Sequence, residues 1–178
     1  MPIILVDIDA ELVAAWREAF QGVEGVTVHH GSIEEVACDA IVSPANSFGF
    51  MDGGVDLAIS EYLGWHVSER LQEIIARRHH GELPVGQAEI VATDHLRVPW
   101  LFSAPTMRTP MVISDTRNAY LATRAVMDLW REGKLEDGRP IREVVKTVAF
   151  PGMGTGCGQL PARRCALQMK EAIEEAGK

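Results

Sequence analysis

The sequence predicts an α/β protein with a central, largely parallel sheet covered by helices on both faces. Three observations predict it: strand-type apolar runs alternate with helical stripes along the chain, two of those runs pass straight into glycine-rich loops, and each loop leads into a helix. Parallel strands need crossover helices, and those helices shield both faces of the sheet.

Taken in order, Pro2 to Asp7 reads as a strand. A helix follows from Ala10 to Phe20, with Leu12, Val13, Trp16 and Phe20 on one face. Val26 to His30 and Asp39 to Ser43 are short strands. Asp56 to Leu63 and His66 to Arg78 are helices broken at Gly64. Gln87 to Ala92 and Arg97 to Ser103 are strands, the second dense in apolar residues. Thr116 to Arg131 carries a helical stripe of Ala119, Tyr120, Thr123, Val126, Met127 and Trp130. The polar stretch Glu132 to Pro140 reads as a surface loop, Thr147 to Phe150 as the last strand, and Pro161 to Ala176 as the last helix, with Pro161 suited to its first turn. The methionines and tryptophans fall mostly on helical stripes and are expected in the core.

The two loops carry the functional signal. Ser43 to Asp56, SPANSFGFMDGGVD, follows Asp39-Ala40-Ile41-Val42; Pro151 to Gly158, PGMGTGCG, follows Val145 to Phe150. A strand–glycine loop–helix turn offers unpaired backbone N–H groups at a helix start, where phosphate binds well. Two such turns suggest a clamp for a ligand with more than one phosphate, at the carboxyl ends of the strands. Gly53 and Gly54 let the backbone approach an anion, and Asn46 offers a donor and an acceptor to a sugar hydroxyl. Asp56, at a helix start, either bonds a hydroxyl or activates water, or else caps the helix. Each loop alone also reads as a tight or irregular connection; their pairing favours function.

Composition sets bounds. The 178 residues suffice for one domain, 1–178, with a sizeable core. A net charge of −8 excludes an extended nucleic-acid surface, which needs clustered Lys and Arg. A phosphorylated small molecule held by backbone amides is compatible with that charge. Cys38, Cys157 and Cys165 are odd in number and lack metal-site spacing, which fits a reducing, cytoplasmic setting. Met1 to Asp9 lacks a basic start and reads as a strand rather than a signal peptide. No run approaches the ~18 apolar residues of a membrane span. Neither His29-His30 nor His79-His80 predicts a metal site, because adjacent side chains point apart; solvated histidines are expected. No metal or cofactor is expected.

At these residues the chain resembles the macrodomain family, whose members bind ADP-ribose and include ADP-ribosyl hydrolases. Asp39 to Ile59, DAIVSPANSFGFMDGGVDLAI, is similar to the family's first loop, DAIVNAAN followed by GGGVDGAI. VAFPGMGTGCGQLP resembles its phosphate loop. Ser103 to Pro110, SAPTMRTP, and the helix beginning Thr116-Arg117-Asn118-Ala119-Tyr120 are similar to a bacterial and phage-associated branch. The likeness covers nearly the whole chain and implies a three-layer α/β/α fold with a mixed, largely parallel sheet.

It also implies roles. Asn46 matches the asparagine on the distal ribose, and Asp56 the aspartate that positions or activates water near the anomeric carbon. Gly53, Gly54 and Val55 match first-loop diphosphate contacts; Gly154, Thr155, Gly156 and Cys157 match those of the second loop, with Gly152, Met153 and Gly158 in the same cradle. The family's GDI segment, whose aspartate reads the adenine amino group, appears here as Gly31-Ser32-Ile33, so an uncharged hydroxyl stands at that place. Asp52 replaces the first glycine of the usual trio. The second loop is shortened and lacks its usual aromatic, for which Phe48 or Phe50 offers packing near the ribose. The implied function is binding of ADP-ribose or an ADP-ribosylated macromolecule with hydrolysis of an ADP-ribosyl ester. A non-catalytic reader, and a Cys157-dependent transferase or hydrolase, are the other two expectations.

Overall fold

The computed structural model describes residues 1–178. Six strands, β1 (Ile3–Asp7), β2 (Val26–His30), β3 (Ala40–Ser43), β4 (Glu89–Ala92), β5 (Trp100–Ser103) and β6 (Val148–Phe150), form one sheet in the order β2-β1-β6-β3-β5-β4. All neighbours run parallel except β4, which pairs antiparallel with β5 at one edge. The sheet is therefore mixed and largely parallel. Every residue of β3 and β6 is buried, as expected of strands covered on both faces.

Alternation along the strands splits the core in two. Leu5, Val42, Phe102 and Phe150 face α1 (Ala10–Ala19), α4 (Asn118–Glu132) and α6 (Ala162–Ala176). Val6, Ile41, Leu101 and Ala149 face α2 (Gly54–Leu63) and α3 (His66–Arg78). Each strand side chain points opposite to its neighbour, so both sets of helices find an apolar face. The result is the expected three-layer α/β/α arrangement. No helix is long and apolar enough to cross a membrane.

Strand placement decides where the glycine loops go. β3 and β6 are adjacent and parallel, with Ala40 opposite Val148 and Ile41 opposite Ala149. Both loops therefore leave the same end of the sheet, side by side. At the opposite end the Asp39 carboxylate accepts the N–H groups of Lys146 and Thr147 at 2.7 and 3.0 Å, which pins the register of the two strands.

Several local expectations need correction. α2 begins at Gly54, ahead of Asp56, so the aspartate sits inside the first turn. Pro161 is the residue before α6 rather than part of its first turn. A 3₁₀ turn at Ile33–Glu35 and a short helix, α5 (Ile141–Val144), follow loops too polar to show a helical stripe. His79 is not solvated: its ring is half-buried against Glu89, with Nε2 2.8 Å from the carboxylate. Trp65 and Met111 lie exposed, outside the core.

Candidate functional site

The first loop is held from below by two buried hydroxyls. Ser60 of α2 donates to the Met51 carbonyl at 2.7 Å, and Ser68 of α3 to the Gly49 carbonyl at 3.0 Å. Asn46 braces the same turn: Phe48 N–H donates to its Oδ1 at 3.0 Å, and its Nδ2 donates to the Phe50 carbonyl at 3.2 Å. The second loop is tied to β1 through Asp7, whose Oδ2 accepts the Gly152 N–H at 3.0 Å. It is tied to the segment before α4 by the Ile113 N–H, which donates to the Gly158 carbonyl at 2.8 Å. Gly154 has φ +82°, and a Cβ there would stand 2.5 Å from Ile113 Cδ1, so glycine is favoured.

These ties leave a particular set of donors free. The N–H groups of Gly53, Gly54, Val55 and Asp56 precede the first main-chain bond of α2, which Leu57 makes to the Gly53 carbonyl. In the second loop, no N–H from Gly154 through Gly158 donates to another protein atom. Both sets open on one cleft with two adjoining halves of about 300 and 340 Å³. Gly54, Val55, Gly152 and Gly156 line both halves and form the neck between them. No Lys, Arg or His lines either half. An anion in the neck would therefore be held by amides alone, reinforced by the dipole of α2.

The larger cavity elsewhere, about 610 Å³, lies at the β4 edge. Its arginines are already matched, Arg70 with Asp94, Arg77 with Glu136 and Arg78 with Glu89. No glycine lines it, so it lacks a comparable cradle of main-chain donors.

Asp56 is the unusual group of the site. It is 8% exposed and lines the smaller half, and its Oδ1 accepts the hydroxyl of the fully buried Ser43 at 2.5 Å. Burial pushes its carboxyl up to about 7; the Ser43 hydrogen bond opposes that, and the nearby Asp52 charge adds to it. The side chain makes no cap bond to the helix. At neutral pH the group is thus poised between base and acid, the condition general catalysis favours. Removing the stabilising hydroxyl by Ser43→Ala is expected to raise the Asp56 pKa further, by about one pH unit. A carbon-13 NMR titration of the carboxyl measures it, and an unmoved titration would contradict the assignment.

Not every residue singled out by sequence reaches the cleft. Asn46, Gly53, Gly54, Val55, Asp56, Gly152, Gly154, Gly156, Cys157 and Gly158 line the smaller half; Ser32, Ile33 and Thr155 line the larger. Phe48 does not: its ring lies against the Arg108 guanidinium, 5.3 Å from the ring centroid. Phe50, 53% exposed, is the aromatic at the rim. Met153 also turns away, fully buried in the apolar cluster that includes Leu160, Cys165 and Met169. Cys157 is exposed in the cleft with no histidine on its walls to act as a base, which leaves the nucleophilic-thiol reading without a partner. Burial pushes Cys38 and Cys165 up to about 12, so both are inert thiols. No group of three His, Cys, Asp or Glu forms a metal-binding cluster.

Sequence reasoning missed Ser43, Asp7, Asp9, Thr106 and Met107. Thr106 and Met107, on the segment after β5, close the far wall of the smaller half, and the Thr106 hydroxyl donates to the Pro44 carbonyl at 3.2 Å. The alternation of β3 and β5 could have flagged Ser43 as a polar residue inside an apolar run. The pairing of Asp7 with Gly152 has no local signal.

The family model described as "Macro domain" matches residues 42–169, a span that contains both loops. The chain belongs to the macro domain family. A relative from Aquifex aeolicus is 35% identical over 150 residues, covering 84% of this chain and 81% of its own. A macro domain-containing protein of Caldanaerobacter subterraneus is 30% identical over 147 residues, covering 80% and 75%. Among solved structures, an Oceanobacillus iheyensis macrodomain with ADPR superposes with a TM-score of 0.66 at 20% identity, covering 82% of this chain and 74% of that one. The macrodomain of Mycobacterium tuberculosis DarG gives the same score and identity, covering 84% and 90%. At that identity the two structures speak for the fold. In this macrodomain the cleft described above lies between the two loops at the carboxyl ends of β3 and β6.

Proposed function

We propose that this macrodomain binds ADP-ribose and hydrolyses ADP-ribosyl esters, on a modified macromolecule or in an O-acetyl-ADP-ribose type of substrate. One observation carries the reading: two separate sets of unpaired main-chain N–H groups converge on the neck of a cleft with no cationic side chain. A diphosphate fits that neck, and the halves on either side accept a nucleoside and a second ribose. The ADPR bound to the Oceanobacillus iheyensis macrodomain supports the choice of ligand.

In this reading Asn46 and Phe50 border the distal ribose, and Asp56 faces the ester. For an ester at the anomeric carbon, the Asp56 carboxylate orients a water and takes its proton while the water oxygen bonds to that carbon. The bond from that carbon to the ester oxygen breaks, and the departing carboxylate receives the proton. The fixed N–H groups hold the diphosphate in place throughout, so positioning supplies much of the rate without a metal. Residues 1–178 act as one domain in this reading, and the exposed Cys157 suits a reducing cytoplasmic setting.

A non-catalytic reader is the second reading. The observation favouring it is that Asn46 spends both ends of its amide on its own loop and Ser43 already holds Asp56. Release of acetate from O-acetyl-ADP-ribose separates the two. The hydrolase reading expects turnover by the parent and a loss of at least about 100-fold in kcat for Asp56→Ala, with ADP-ribose affinity retained. Binding without turnover in the parent would leave the reader.

A further inference from the structure

We infer that Asp52, at the mouth of the smaller half of the cleft, selects substrates by the charge of the group carried on the distal ribose. Neutral groups are admitted and anionic ones are turned away. The inference rests on the ADP-ribose reading and names the class of ester within it, one whose acyl part carries no negative charge beside the ribose. The two acids of this half sit at different depths. Asp56 lies on the floor, 8% exposed and held by Ser43, whereas Asp52 is exposed and lines the same half. With the floor closed by Asp56 and Ser43, a group hanging from the ribose leaves by the mouth. Its way out runs between Phe50 and Asp52 of the first loop and Pro110 of the segment after β5.

Nothing within the protein engages the Asp52 carboxylate. It makes no ion pair and no side-chain hydrogen bond, and the cap residue of α2 is Gly53, without a side-chain cap bond. No Lys, Arg or His on the walls offsets its charge. The cation of the adjoining segment, Arg108, is bound to Glu82 at 2.6 Å and lies outside the walls. The charge of Asp52 also reaches the floor, where it adds to the rise of the Asp56 carboxyl. An anion on the ribose therefore meets a fixed negative charge at the mouth with no counter-charge, and a neutral acyl group meets no such repulsion. An acid just before a helix also suits the helix dipole. That role alone predicts a change in stability and none in ligand choice.

A ratio of two affinities isolates the effect. ADP-ribose and ADP-ribose phosphorylated at its anomeric oxygen share the diphosphate, so repulsion between Asp52 and that group cancels between them. Isothermal titration of the full chain at pH 6 and low salt compares the two ligands, with Asp56 largely holding its proton. The parent is expected to favour ADP-ribose by at least about tenfold, and Asp52→Asn to bring that ratio down by about tenfold. Glu24→Gln makes the same charge change on an exposed residue before β2, at the end of the sheet away from the loops. It is expected to leave the ratio as it is. A parent that binds both ligands equally, or an unchanged ratio in Asp52→Asn, would overturn the assignment to Asp52 while the ADP-ribose reading stood. Binding of neither ligand by the parent would overturn the ADP-ribose reading, and the assignment with it.

Discussion

Asp56→Asn is expected to melt at a higher temperature than the parent at pH 8 and to lose ester hydrolysis. In the unfolded chain the Asp56 carboxyl titrates near the ordinary 3.8; in the fold, burial pushes it up to about 7. Between those values the native state binds the extra proton, so stability falls as pH rises from about 4 to about 7, and the full cost persists above that. Asparagine removes the charge and still accepts the Ser43 hydroxyl, although its amide protons must find partners. The net gain at pH 8 is on the order of 1–3 kcal/mol, several degrees in melting temperature for a chain of this size. Near pH 4 the parent is protonated too, and the gain should vanish. Thermal melts at pH 4, 6 and 8 check this; a pH-independent difference would mean that Asp56 is not held against its own charge. A destabilised, near-neutral carboxylate retained in a buried position is what a stability–activity trade-off looks like.

The second large effect concerns the neck of the cleft. A Cβ built on Gly156 meets nothing within 4 Å, and the residue lines both halves. Gly156→Val should therefore fold with a stability change within about 0.5 kcal/mol. Its side chain enters the space assigned to the diphosphate, and ADP-ribose affinity should drop by at least about 100-fold. Gly154→Ala, two residues earlier, should behave in the opposite way: its positive φ and the close Ile113 methyl cost roughly 1–2 kcal/mol of stability. Parallel melts and calorimetric titrations distinguish the pair. Full affinity in a folded Gly156→Val variant would remove the ligand from the neck.

Much of this arrangement was legible in the residues, and what was not has physical reasons. The strands and long helices are visible because buried strands are continuous apolar runs and α1, α4 and α6 carry apolar stripes. The loops are visible because strand-to-glycine transitions are rare and local. The adjacency of β3 and β6 is not: it joins residues more than a hundred positions apart, through Asp39 and the main chain of Lys146 and Thr147. Nor does spacing choose between Phe48 and Phe50, because the direction of each ring follows from the Asn46 turn and the position of Arg108. Asp56 was ambiguous for a similar reason. Aspartate is common at helix starts, and only the depth of Ser43 under the loop shows that this carboxyl faces inward. His79 was misjudged because Glu89, its partner, sits on an edge strand ten residues away.

In the proposed complex, N–H groups of both loops grip one pyrophosphate. Titrating nitrogen-15-labelled protein with ADP-ribose and following the amides of Gly53, Gly54 and Val55 together with those of Gly154, Thr155, Gly156 and Cys157 tests it most directly. Both groups of resonances are expected to move together, with one dissociation constant. Movement confined to a single loop, or two unlike constants for the two loops, would contradict it.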